Sequence, residues 1–430
     1  MKTDQIQKVH KDWYKLDLSA IVYPTLQRRD FSSVYRLSVL LKEDIDPEIL
    51  QRAVNLTMPR FPTYKAAIRK GVFWRYLEPN DRPGPFVQED VKNPCQPMHF
   101  KGNNRYLVRI YYYRNQIALE AHHSLGDGTG GMCVLQTLTA TYLRLKGHSE
   151  IENGGFVLDI LGIPDPGELE DAYMKYANAK VCPPRPGEKT YRVRGTKEPF
   201  YTLNIIDGIM SVSEVMRVAK SYNATITEYL NSVLLYALMQ KQESEWHLKL
   251  RPIKIAMPVN LRRFFPSRTL RNFITMIYPG IDPRLGEYTF EEIVTQVHNY
   301  MRYYLNEKLL RGDITTNAET QRNPFIRIVP LFIKDLVVRQ FYTKIQDKNS
   351  SAGLTNMGAL KVPETMKPYI ERFDIYMGQP FSTRTNCAIA SFEDILTINF
   401  ASSIAETDVE RLFFRKLVQD GIHVKIESNR

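Results

Sequence analysis

The sequence contains no apolar run approaching the ~18 residues that span a bilayer, and its opening segment, MKTDQIQKVHKDWYKLD, has no apolar signal core. A soluble, cytoplasmic protein without a membrane span is expected. Cysteine is scarce: Cys95, Cys133, Cys182 and Cys387 are widely separated and match no zinc or redox spacing, which excludes a disulfide framework. Internal repeats and low-complexity tracts are missing, as is any long run of one charge. Lys plus Arg exceed Asp plus Glu by 58 to 47, a formal charge of +11, yet the denser groups at 26–30, 251–254 and 262–271 accompany no nucleic-acid-binding signature. The charge reads as a dispersed solvated surface, part of which is available to phosphates, and no nucleic-acid partner is expected.

With 430 residues at 43% hydrophobic and 24% charged, the chain exceeds what one core organises, so two domains are expected. Its 25 tyrosines and 20 phenylalanines suit packed sheets and the walls of an apolar channel. Alternation predicts strands over 33–41, 202–206, 253–258, 273–278, 369–377, 387–392 and 395–401. Helical spacing and capping residues predict helices over 48–58, 132–145, 168–179, 227–240, 290–307, 326–343 and 405–419. Glycine and proline crowd the window 147–199, which marks a crossover and divides the chain into lobes 1–185 and 186–430. Strands mixed with helices in both halves give an α/β fold with mixed sheets flanked by helices.

The most chemically specific stretch is AHHSLGDGTGG, residues 121–131, between a β-hairpin over 106–121 and a helix. One reading is acyl transfer, with His123 taking a proton from an alcohol or amine as it attacks an activated thioester. A second is dinucleotide binding, because Gly126, Gly128 and Gly131 spell G-x-G-x-x-G. Against it, Asp127 would meet the pyrophosphate and the preceding strand belongs to an antiparallel hairpin. A third is a metal site from His122, His123 and Asp127, opposed by the tendency of adjacent strand residues to face opposite ways. In the blandest reading both histidines only satisfy core hydrogen bonds. The opposite-faces argument sends one histidine to a cleft and its neighbour into the domain, while Asp127 orients the loop or joins a buried ion pair.

AHHSLGDG resembles the H-H-x-x-x-D-G signature of the coenzyme-A-dependent acyltransferase superfamily, which includes chloramphenicol acetyltransferase, condensation domains and alcohol acetyltransferase-like proteins. MPVNLRRFF at 257–265 is similar to the P-V-N-x-R segment of its condensation and alcohol acetyltransferase branches, and is followed, as there, by an asparagine and a phenylalanine, Asn272 and Phe273. TEYLNSVLLYAL at 227–238 and GLTNMG at 353–358 extend the likeness. The D-F-G-W-G motif of the plant branch is missing. The resemblance implies two chloramphenicol-acetyltransferase-like lobes with an active-site tunnel at their interface. It makes His123 the general base, His122 its structural neighbour, and Asp127 one half of an ion pair with Arg262. Gly128 would permit the turn, Asn260 hold the second-lobe segment, and Thr355 or Asn356 contact substrate or oxyanion. It further implies a free-standing, monomeric enzyme with no permanent cofactor, taking acyl-CoA as co-substrate and an alcohol or amine as acceptor. The alternatives are an acyl carrier protein as donor, or a condensation-like module without turnover.

Overall fold

The computed structural model describes residues 13–27, 31–91, 93–178, 188–200, 202–245, 247, 249–378 and 383–430. The division expected at 185/186, Cys182, and most of the basic group 26–30 lie outside the described residues.

Local sequence rules account for most elements. The first half supplies β1 (Tyr14–Lys15), β2 (Val34–Leu41), helix α1 (Pro47–Thr57), β3 (Ala66–Lys70), β4 (Arg75–Pro79), β5 (Val87–Glu89), β6 (Val108–Tyr113), β7 (Gln116–His122) and α2 (Gly128–Leu145). Asp46 caps α1 by accepting from the amides of Glu48 and Ile49 at 2.9 and 3.0 Å, and Pro47 fills the first position, where no donor is needed. The second half supplies β8 (Asn204–Ser211), α3 (Val212–Ser221), α4 (Ile226–Ser244), β9 (Ile253–Asn260), β10 (Ile274–Ile277), β11 (Gly280–Ile281), α5 (Phe290–Tyr304), α6 (Glu307–Arg322), α7 (Leu331–Asn349), β12 (Ala352–Ala359), β13 (Ile370–Met377), β14 (Thr385–Phe392), β15 (Ile395–Ser402), α8 (Asp408–Gln419) and β16 (Lys425–Ser428). Thr225 and Thr289 start α4 and α5 with capping boxes to Glu228 and Glu292.

Among the described residues these strands form three sheets. The larger ones run in the order β13-β2-β7-β6-β5 and β10-β9-β12-β14-β15-β8-β16, with β11 also on β9; β1-β4-β3 forms a small third sheet. Both large sheets are mixed: β5 lies parallel to β6, and β12 parallel to both β9 and β14, while their other pairings are antiparallel. Alternation in β9 is complete, with Ile253, Ile255, Met257 and Val259 buried and the residues between them half-buried. Two main cores form, one around β2, β7 and α2, the other around α4, β9 and β15.

β13 lies late in the chain yet pairs antiparallel with β2, Phe373 opposite Val39, and so becomes an edge of the first large sheet. Its backbone also meets the second sheet, where Asn399 Oδ1 accepts from the amide of Ile375 and Thr397 donates to the carbonyl of Phe373. The helix expected at 290–307 stops at Tyr304, and the polar α6 follows. The helix expected at 326–343 is interrupted at Pro330, which separates a short turn, Pro324–Ile328, from α7. The helix expected at 168–179 is a 3₁₀ turn and five helical residues, Ala172–Tyr176. Among the described residues no helix is long and apolar enough to cross a membrane, and Cys95, Cys133 and Cys387 are buried and unbridged.

Candidate active site

β6 and β7 close a hairpin over Arg114 and Asn115, Tyr113 facing Gln116, with Arg114 in the left-handed region at φ 50°. His122 ends β7 opposite Val34, and the next amide, that of His123, donates to the carbonyl of Ser33 at 2.9 Å. The two rings enter different surroundings. That of His122 is fully buried, its Nδ1 accepting from the Ser124 amide at 3.2 Å. This fixes the proton on Nε2, which donates to Gln27 Oε1 at 3.1 Å. Burial pushes the pKa of His122 down to about 3, and the charges of His123 and Arg109 add to the effect.

The His123 ring lies between two tyrosines. Tyr23 stacks on it at 4.8 Å between centroids and 20° between planes, and Tyr35 leans against it at 4.6 Å. Its Nδ1 is buried without a well-formed hydrogen bond, and so is Oδ1 of Asn272. Burial pushes the pKa of His123 down to about 4, against the opposing pull of the Asp127 charge, the Asn272 side chain and the Gly126 backbone. The imidazole is therefore neutral at pH 7.

Asp127 joins the two lobes. Its Oδ1 caps α2 by accepting from the amides of Thr129 and Gly130 at 3.1 and 3.2 Å. Its Oδ2 accepts from Arg262 Nη1 at 2.8 Å and from the amide of Phe273 at 2.9 Å. Arg262 also donates to the carbonyl of Thr269, so its guanidinium is held on several sides. Asn260 ends β9; its Oδ1 accepts from the amide of Arg262 at 3.1 Å and its Nδ2 donates to Thr129 Oγ1, across the seam, at 3.2 Å. His123, Asp127, Asn260 and Arg262 thus converge on one place.

Asn272, named in the likeness but given no role there, belongs to the same place. Its Nδ2 donates to the carbonyl of His123 at 2.9 Å and to the carboxylate of Asp17. Asp17 is fully buried, takes a further donor from the Ala20 amide at 2.8 Å, and has Arg271 Nε 3.7 Å away. Tyr23, Tyr35, Asp17 and Gln27 carry no local signature, because they reach the histidines only through the fold.

The glycines are not called on for left-handed backbone. Gly128, Gly130 and Gly131 form the first turn of α2, and none of them, nor Gly126, has a positive φ. They are small because the surroundings are close. A Cβ on Gly130 would sit 1.9 Å from the carbonyl oxygen of Leu270, and one on Gly131 would sit 2.6 Å from the Tyr35 hydroxyl. At Gly128, the first residue of α2, the nearest atom would be Met357 Sδ at 3.0 Å, so a side chain there would meet β12.

On β12, Thr355 is half-buried, and both ends of the Asn356 amide are engaged. Its Nδ2 donates to Thr227 Oγ1 at 2.8 Å and its Oδ1 accepts from the Gly358 amide at 2.7 Å. A cavity of about 570 Å³ on α5, lined by Glu291, Gln296 and Tyr300 among others, includes none of these residues. Among the described residues no cluster of three or more His, Cys, Asp or Glu side chains is arranged to hold a metal ion.

With its two lobes of mixed sheet flanked by helices, this chain has the fold of coenzyme-A-dependent acyltransferases and condensation domains. Among solved structures it is similar to TRI101 of Fusarium sporotrichioides, solved with coenzyme A and T-2, at 12% identity and a TM-score of 0.63 over 96% of this chain and all (100%) of that one. It is similar also to TRI3 trichothecene 15-O-acetyltransferase of the same organism, at 13% identity and a TM-score of 0.58 over 95% and 94% of the two chains. The starter condensation domain of rhizomide synthetase, solved with C8-CoA and Leu-SNAC, superposes at 10% identity and a TM-score of 0.59 over 97% and 96%. No family model and no curated protein matches the sequence. At these identities the likeness establishes the fold.

Proposed function

We propose that the chain transfers an acyl group from a coenzyme A thioester to an alcohol or amine, with His123 as general base. The observation that carries this reading is the state of the His123 ring: neutral at pH 7, held between Tyr23 and Tyr35, with Nδ1 turned into the protein. With its proton on Nδ1, beside Asn272, the ring offers the Nε2 lone pair to substrate. Nε2 takes the acceptor's proton as the acceptor attacks the thioester carbonyl, and a tetrahedral oxyanion forms. The carbon–sulfur bond then breaks, the carbonyl re-forms, and Nε2 returns the proton to the departing thiolate. Base catalysis of this kind contributes about 10²- to 10⁴-fold.

Asp127, Asn260 and Arg262 act here by holding the two lobes in register around the histidine. Because Asn356 is engaged at both ends, the Thr355 hydroxyl is our candidate donor to the oxyanion, where one donor is worth ~3 to 4 kcal/mol. The reading is tested by thiol release from acetyl- and longer acyl-CoA with a panel of alcohols and amines. Wild type should turn over at least one pair, and His123→Ala should lose about 10²-fold or more with its melting temperature retained. Unchanged turnover by His123→Ala would remove the mechanism. Turnover only when the acyl group is carried on an acyl carrier protein would replace the donor.

A further inference from the structure

α7 is inverted relative to an ordinary surface helix. Its inward side carries an ion pair: the Asp335 carboxylate meets Arg75 at 2.5 Å and accepts from Thr25 at 2.8 Å. Its outward side carries Phe332, 74% exposed, with Ile333, Leu336 and Val337 one turn apart and also exposed. The preceding turn adds Phe325, 77% exposed, and Ile328. The tip of the β3–β4 hairpin is continuous with this surface, since the Leu331 amide donates to the carbonyl of Val72 at 2.9 Å and the Lys334 ammonium to that of Phe73 at 2.9 Å. Val72 and Trp74 at that tip are exposed. So contiguous an apolar face marks an interaction site.

The charges around it have one sign. Between positions 322 and 340 the bases are Arg322, Arg327, Lys334 and Arg339, and Asp335, the single acid, is spent on Arg75. Lys70 is exposed at the end of β3 beside the hairpin tip. Aromatic and aliphatic side chains projecting among cations match a layer of anionic headgroups over acyl chains. We infer that this face, formed by residues 325–337 and the Val72–Trp74 tip, docks the protein on an anionic membrane surface without spanning it. It lies one element from the proposed chemistry: the helical turn Tyr23–Leu26 packs against α7 and presents Tyr23 to His123.

Flotation of the full chain with vesicles tests this, using phosphatidylglycerol mixed with phosphatidylcholine against phosphatidylcholine alone. The protein should float with the anionic vesicles and be released by salt. Phe332→Ser combined with Leu336→Ser, and separately Arg327→Glu, should each lower the bound fraction about tenfold at an unchanged melting temperature. A reading that leaves the helix intact comes from tryptophan quenching by bromine-labelled lipid, which should disappear in Trp74→Phe. His123→Ala should float like wild type, which separates this surface from the acyl-transfer proposal. Failure to bind anionic vesicles, or equal binding to phosphatidylcholine alone, overturns the inference. So does a dimer in solution that the double serine variant dissociates, which would give the face to a second copy of the chain.

Discussion

Arg262 Nη1 lies 2.8 Å from Asp127 Oδ2, and the two side chains are only 11% and 3% exposed. Removing one partner leaves the other buried and charged, which costs about 3 to 5 kcal/mol, and Asp127→Ala also strips the cap from α2 and a partner from the Phe273 amide. The expected outcome is a loss of at least about 3 kcal/mol in denaturant unfolding, with activity falling alongside. The double variant Asp127→Ala/Arg262→Ala should lose less than the sum of the singles. Loss of activity with unchanged unfolding would assign Asp127 to the chemistry instead.

Asn272 is a positioning residue in the proposed mechanism, and its effect is visible in pH. Its side chain favours the protonated form of His123, whose pKa is about 4. In Asn272→Ala the acid limb of the kcat/KM profile should move to lower pH, and the rate on the plateau should fall roughly 10- to 100-fold as the ring loses its register. A limb left in place while the plateau falls would reduce Asn272 to a structural part.

His122 makes the fold sensitive to acid. It is neutral in the folded protein down to about pH 3, whereas the unfolded chain protonates it near its ordinary value of 6.5. The stability it contributes is complete above pH 6.5 and drains away as pH falls towards 3. A glutamine at this position can still meet Gln27 and the Ser124 amide but does not titrate. The stability advantage of wild type over His122→Gln should therefore shrink by about 3 kcal/mol between pH 7 and pH 4, at ~1.4 kcal/mol per unit. Parallel curves for the two proteins would contradict a neutral, buried His122.

Gly130→Ala and Gly128→Ala separate close packing from backbone freedom. Both positions are helical, where alanine is intrinsically favoured by ~1 kcal/mol. At 130 the new Cβ meets a backbone oxygen that cannot yield, so a net loss of about 2 kcal/mol or more is expected. At 128 it meets the far end of a methionine, and the change should stay within about 1 kcal/mol. Thermal or denaturant unfolding of both variants checks the contrast.

What the sequence makes legible here is local. The caps at Asp46 and Thr289, the hairpin over Arg114 and Asn115, and the strand ending at the histidines each depend on neighbours a few residues apart. Hydrophobic period was too thin to mark α6, whose buried stripe is only Leu310, Ile314 and Ala318 among largely polar residues, and proline chemistry at Pro330 outweighed the helical pattern over 326–343. Within the site, the motif residues stand out because histidine, aspartate and glycine are unusual together. Asn272 is marked only as the asparagine that follows the P-V-N-x-R segment, and Tyr23 and Asp17 are ordinary residues in ordinary surroundings until a distant turn brings them to the histidine site. The glycines were conspicuous for a different reason from the one that keeps them: distant atoms set their size, the carbonyl of Leu270 at Gly126 and Gly130 and the Tyr35 hydroxyl at Gly131.

The placement of β13 beside β2 has a temporal consequence. β2 has its far edge covered only by residues 370–377, more than three hundred positions after its own. A ribosome adding ~5–20 residues per second needs tens of seconds to cross that interval, during which the nascent first lobe carries an uncovered row of amides and carbonyls along β2. Synthesis in the cell thus passes through an interval in which this lobe is open to adventitious strand pairing, and the interval closes only when residues 370–377 emerge.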